Sequence, residues 1–362
     1  MGATTGIAWT EATWNPIRGC SKVSAGCDHC YAMHTAYRFA GEGQPYEGLA
    51  TRVNGRPAWT NRIAYIREHL ADPLRWTRPR RIFVNSTSDL FHPGVDDEYL
   101  AQIFAIMALA PQHTFQVLTK RPERMASWVT AGVEPTRAHV RSFLDQATSG
   151  ATAAGARAGV RRTLASLFPT LGAVTGLETA VAALTSWPLP HVWLGVSVED
   201  QKAAVTRIPH LLATPAAVRF LSCEPLLGPV TLDTIACRSP YHHAPGSLNA
   251  LTGEWWPALG LQPGVEAAQR LADDARIAWL IVGGESGPGA RGMDPDWADD
   301  LRRQCASACV PFFFKQAGAI LARTWRCTDP KGEKPAEWPA AFRVQDYPVV
   351  RAVTYEEIPH ER

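Results

Sequence analysis

The sequence predicts an α/β fold in which parallel strands and helices alternate to build a partial parallel (β/α) barrel. Three observations predict it. Short apolar runs, too brief for helices and rich in β-formers, recur along the chain. Segments of helical periodicity separate most of them. The runs end in polar, acidic or glycine-rich residues, as expected where parallel strands deliver side chains to a shared face.

The first strand is expected within Ile7–Trp14, leading into a cysteine-rich loop. Six further runs read as buried strands: Arg81–Asn85, Thr114–Thr119, Val192–Val198, Val218–Ser222, Trp279–Gly283 and Pro311–Lys315. Between them, Asp97–Leu109 carries Leu100, Ile103, Phe104 and Met107 at helical spacing. Asp296–Cys309 does the same with Trp297, Leu301 and Cys305, and has acids early, where the helix dipole favours them. This strand count suits a TIM-like barrel that stops short of closure. Two stretches break the rhythm. Residues Val129–Pro190, rich in Ala, Thr and Gly with Arg157, Arg161 and Arg162, read as a helical insertion. Residues Asp233–Asp274, which include Tyr241-His242-His243 and Trp255-Trp256, read as a long loop or lid. The whole chain, 1–362, is expected to be one domain.

Of the 362 residues, 46% are hydrophobic and 19% charged, enough to bury a core without disulfides. A net charge of +2 excludes a uniformly basic coat but not a local basic groove. No run approaches the ~20 apolar residues of a membrane span, and Met1–Glu11 lacks the basic-then-apolar pattern of a signal peptide. A cytoplasmic protein without membrane partners is expected. Three of the eight cysteines crowd near the N-terminus, which in such a compartment points to metal or redox chemistry.

Those three are Cys20, Cys27 and Cys30, spaced C-x6-C-x2-C in residues 14–32, the expected cluster-binding loop. Gly19 and Gly26 supply its corners. Three thiolates from one loop would leave one iron of a 4Fe–4S cluster free of protein and able to chelate a small molecule. A structural zinc site completed by His29 or His34 is the alternative, and would make the chain a zinc-stabilised nucleic-acid-binding protein without catalysis.

The segment Trp14–Ala32, with its W-N-P, G-C and G-C-x-x-C-Y-A elements, resembles the signature of a three-cysteine-motif family known from mycobacteriophages and bacteria. That family in turn resembles the radical S-adenosylmethionine superfamily. The likeness extends through Asn85–His92, Leu118–Pro122, Gly195–Gln201, Ser222–Pro229 and Gly283–Gly289. Three features depart from the superfamily pattern. Six residues replace three between the first two cysteines, the aromatic Tyr31 follows the last cysteine, and Gly283-Gly284-Glu285 comes late in the chain.

The resemblance implies a 4Fe–4S cluster on Cys20, Cys27 and Cys30, S-adenosylmethionine as cofactor, and an electron-donor protein as partner. The amino group of S-adenosylmethionine calls for an anionic neighbour, and Asp89, Glu199, Glu224 and Glu285 are candidates. Ser86, Ser88, Ser197, Gly283 and Gly284 complete the expected cofactor-binding set. Lys120, Arg121 and Lys315 are candidate anion binders. Cys223, beside Glu224, is either a hydrogen-atom donor or an inert buried thiol; Cys223, Glu224 and Lys120 are the expected catalytic residues. Arg75, Arg78, Arg80 and Arg81 surround Trp76, and Trp14, Trp59, Trp255 and Trp256 add aromatic surface. Basic groups with aromatics suit DNA or another nucleic acid, and the superfamily includes a DNA lesion lyase. A small-molecule or peptide substrate is the alternative.

Overall fold

A computed structural model of the chain describes residues 5–149, 184–238, 245–258, 269–271 and 275–349, with residues 158, 160, 181 and 182. Arg157, Arg161, Arg162 and Tyr241-His242-His243 lie outside the described residues, as does most of the second half of the expected helical insertion. Its first half is helical, over Val133–Ser149.

Seven strands form one all-parallel sheet: β1 (Ala12–Trp14), β2 (Arg81–Val84), β3 (Thr114–Thr119), β4 (Val192–Ser197), β5 (Val218–Cys223), β6 (Trp279–Gly283) and β7 (Phe312–Gln316). Their order in space is their order in the chain, with no switch point, and the sheet curls into a half-barrel. The helices Asp97–Ala108, Gln201–Ala213 and Pro295–Ser307 begin at aspartates. Asp96, Asp200 and Asp294 accept the amide protons of Tyr99, Ala203 and Asp296 at 2.6, 2.8 and 2.9 Å.

Side chains alternate along each strand. The outer face, including Val84, Val117, Leu194, Leu221 and Val282, packs with the helices in the main core. The inner face carries Phe83, Trp193, Val218, Phe220, Trp279, Ile281 and Phe313, with Trp9 inserted among them. These aromatics fill the amino end of the lumen; the Trp9 and Phe83 ring centroids are 4.7 Å apart. Gly195 makes room for this layer, since a Cβ there would lie 2.6 Å from the Phe220 ring. Toward the carboxyl ends, polar groups replace the aromatics.

The seam between β1 and β7 is filled from both ends of the described chain. Residues near Val344–Asp346 pair with the outer edge of β7, with Phe314 donating to the Val344 carbonyl at 2.8 Å and Asp346 to the Phe312 carbonyl at 3.0 Å. This covers an otherwise open edge. The Tyr347 hydroxyl then donates to the Ala8 carbonyl at 3.2 Å.

The described residues of Asp233–Asp274 do not form the expected loop or lid. Their described parts make a four-stranded antiparallel sheet of Ile235–Arg238, Pro245–Asn249, Glu254–Pro257 and Gln269–Arg270. Leu248, Leu251 and Trp255 are buried in it, so its tryptophan and leucines serve a satellite of the core.

Candidate functional site

At the carboxyl ends of the strands lies a cavity of about 480 Å³, within the range of small-molecule pockets. All three loop cysteines line it. So do Ser86, Ser88, Asp89, Lys120, Ser197, Glu224, Gly284, Glu285 and Lys315, gathered from six strand ends. None of the described residues between 233 and 274 does. Trp59 of the hairpin Ala50–Trp59 and Lys331 and Glu333 of the C-terminal region complete the lining.

The carboxylates divide by what they hold. Asp89 faces Arg121, with an Nη1 to Oδ2 distance of 2.7 Å. It also accepts from the Thr119 hydroxyl at 2.7 Å and from the backbone amides of Lys120 and Phe91. Arg121 in turn donates to the Ser21 carbonyl and hydroxyl at 3.0 and 2.8 Å, and its guanidinium lies 4.0 Å from the Cys20 sulfur. Glu199 is ion-paired with Lys120 at 2.9 Å and Arg207 at 2.8 Å and accepts the Ser24 hydroxyl at 2.7 Å. A Cβ at Gly26 would lie 2.4 Å from the Glu199 carboxylate, so a glycine lets the loop rest against it. Glu285 accepts from the Arg291 amide and Nε at 2.8 and 3.0 Å, and Arg291 donates to the Ala25 carbonyl at 2.9 Å. Three acid–base pairs from three strand ends therefore clamp the cysteine loop. Asp89, Glu199 and Glu285 are each engaged by the cations that hold the loop.

Burial alone would raise the Glu199 pKa, but Lys120 and Arg207 outweigh it and bring it down to about 2. Arg291 likewise overcomes desolvation and lowers the pKa of Glu285. Glu224 alone faces the lumen away from the loop, ion-paired with Lys315 at 2.8 Å and accepting from Trp9 Nε1 at 3.3 Å and the Ser222 hydroxyl at 3.2 Å. Gly283 leaves space for it, since a Cβ there would lie 3.0 Å from Glu224 Oε1.

Cys223 does not join this site. The two-residue period of β5 sends Ser222 and Glu224 into the lumen and Cys223 to the helix-packed face, where it is fully buried. Burial, with Cys305 nearby, pushes its thiol well above the ordinary value. The placement suits the inert thiol, not the hydrogen-atom donor. The basic run is also elsewhere. Arg81 opens β2 at the amino end of the sheet, where its guanidinium lies 4.0 Å from the Tyr347 ring centroid, and Arg80 covers Trp76. Trp14 and Trp255 are buried, and only Trp59 of the four expected surface tryptophans lines the cavity.

Burial raises the Cys20 thiol to about 12, with Asp89 adding to the rise and Arg121 opposing it, and burial also raises Cys30. Among the described residues, no three His, Cys, Asp or Glu side chains are grouped closely enough to hold a metal ion. His29 lines the cavity, and His34 is exposed on the helix Tyr31–Arg38.

Several site residues carried no signal strong enough to find in sequence. Arg291 and Arg207 look like ordinary surface arginines until the fold brings them to Glu285 and Glu199. Trp9 precedes the first strand. Asn85, at the end of β2, hides within a polar stretch.

No helix among the described residues is long and apolar enough to cross a membrane. No curated protein and no solved structure matches the chain. A family model described as a protein of unknown function (DUF5131) matches residues 4–341, nearly the full length. The chain belongs to that DUF5131 family.

Proposed function

We propose that this protein is a radical S-adenosylmethionine enzyme whose cluster is held by Cys20, Cys27 and Cys30. One observation carries the reading: three thiols from a single clamped loop line a cavity at the carboxyl ends of a curled, all-parallel sheet. The sheet is read accordingly as part of a TIM-like barrel, in which ligands bind at that end.

The donor set fits a 4Fe–4S cluster. It offers three sulfurs and no fourth cysteine in the cavity, which leaves one iron for a ligand. When bound and reduced by one electron, such a cluster supplies the chemistry that breaks the sulfonium bond of S-adenosylmethionine into methionine and a 5′-deoxyadenosyl radical. The chain's own residues position and enclose. Arg121, Glu199 and Arg291 fix the loop, and the aromatic layer around Trp9 seals the lumen below from water. Glu224, tied to Lys315, offers the lumen's own carboxylate to a cationic amino group. A nucleic acid is the proposed substrate, with modification or lesion repair as the outcome. The cavity mouth supports this, because Tyr31 is exposed there and Trp59 flanks it, both suited to stacking a base.

Anaerobically purified protein should be brown and hold about four irons per chain. With dithionite and S-adenosylmethionine it should yield 5′-deoxyadenosine. Colourless protein with one zinc per chain, and no such product after iron and sulfide are supplied, sinks the reading.

A further inference from the structure

The cavity is lined by a buried polar side chain with nothing to do. Asn85 follows β2 and is 2% exposed, yet neither its amide nitrogen nor its amide oxygen has a hydrogen-bond partner among the described residues. It lines the cavity one step above Phe83 on the same face of the strand. Its backbone is fully employed: the amide donates to the Trp14 carbonyl at 2.8 Å, and its carbonyl accepts from Ser88 at 3.3 Å. Its φ is +60°, in the left-handed region where glycine sits without strain. A buried amide with both groups idle costs stability, and so does that backbone. A site that keeps both costs points to a ligand that meets the amide.

The chemistry of that ligand follows from the surroundings. An asparagine amide is neutral and presents one donor and one acceptor in a plane. It matches a neutral planar edge with an adjacent acceptor and donor, not an anion. The charged groups nearby are already matched with each other, Lys120 with Glu199, Lys315 with Glu224 and Arg121 with Asp89. Below lie the flat rings of Phe83 and Trp9, which also line the cavity. An amide reading an edge above an aromatic floor is the arrangement that recognises a nucleobase, and asparagine pairs bidentately with adenine.

We infer that Asn85 is a base-reading residue, and that the cavity takes an adenine-type nucleobase against its side-chain amide. The inference deepens the functional reading above by naming what the cavity holds. It does not need the cluster, since binding can be measured without iron or reductant. The base has two sources, the adenine of S-adenosylmethionine or a base of a nucleic-acid substrate.

The test is calorimetric titration of the full chain, without iron reconstitution, with adenosine and guanosine, beside Asn85→Gly and Asn85→Asp. Asn85→Gly removes the amide and suits the positive φ, so adenosine affinity should fall at least about tenfold while the melting temperature holds or rises. In Asn85→Asp the carboxylate accepts from both N1–H and N2–H of guanine but cannot donate to adenine. The guanosine-to-adenosine affinity ratio should therefore rise at least about tenfold. Repeating the titrations with S-adenosylmethionine and with a short single-stranded DNA assigns the source: the ligand weakened by Asn85→Gly carries the base. Failure of wild-type protein to bind either nucleoside overturns the inference. So do unchanged nucleoside affinities in both variants, above all with a lowered melting temperature, which would make the amide structural.

Discussion

The Ser24 hydroxyl donates to the Glu199 carboxylate at 2.7 Å, and this contact ties the cysteine loop to the end of the fourth strand. Glu199 is itself held by Lys120 and Arg207, so the loop is anchored on a buried charge network rather than on a flexible surface group. A hydrogen bond to a charged group is worth about 1.5–3 kcal/mol. Ser24→Ala should loosen the loop without unfolding the chain. Limited proteolysis should then cut between residues 20 and 30 at least about tenfold faster, while the urea midpoint moves little. An unchanged cleavage rate would show that the other clamps suffice.

Acid should weaken the same network. Glu199 has a folded pKa of about 2 against an ordinary 4.5. Between those values the unfolded chain binds the extra proton. The stabilisation is therefore complete above pH 4.5 and is lost as pH falls from 4.5 toward 2. The shift corresponds to about 3 kcal/mol at neutral pH. Glu199→Gln should flatten the acid limb of stability against pH. It should also cost about 3–5 kcal/mol at pH 7, because Lys120 and Arg207 lose their shared partner. Equal acid limbs in both proteins would assign the pH dependence elsewhere.

The eight cysteines should separate into two classes. Cys20→Ser, Cys27→Ser and Cys30→Ser should each abolish iron retention after anaerobic reconstitution. Cys223→Ser should keep full iron and lose about 1–3 kcal/mol of stability, since it sets a hydroxyl in the apolar outer core. Iron loss in Cys223→Ser, with the fold intact by circular dichroism, would contradict its placement on the helix-facing side.

Gly195 tests the aromatic floor. Gly195→Ala places a methyl 2.6 Å from the Phe220 ring, which is enclosed by Trp9 and Trp279. The expected loss is about 1–3 kcal/mol in urea unfolding. A neutral result would mean that the ring can shift within the lumen.

The fold was legible where physics is local. The six expected buried strands exist within a residue of their predicted bounds, because buried parallel strands announce themselves as short β-rich runs, while the first fills only the last three residues of Ile7–Trp14. The helix Asp97–Ala108 follows its apolar spacing and its Asp96 cap. The segment Asp233–Asp274 misled, because its strands are short, antiparallel and rich in Pro and Gly, so their pairing depends on contacts that no local pattern displays. The site was half legible. The strand ends named the carboxylates, but not that Arg121, Lys120 and Arg291 would turn three of them toward the loop. Ion pairs between distant strands leave no spacing to read. The outward direction of Cys223 is different: the alternation Phe220, Ser222, Glu224 already implied it.

Arg291 reaches back to the carbonyl of Ala25 and to Asp28, and 263 residues separate Asp28 from Arg291. A ribosome adding roughly 5–20 residues per second needs tens of seconds to make that interval. Throughout it the cysteine loop has been made but its last anchor has not. The thiols must survive that exposure to oxidants and stray metal before the clamp exists. The loop is therefore clamped only once residue 291 has been made, and oxidant supply during that interval should govern how many chains keep all three loop thiols reduced.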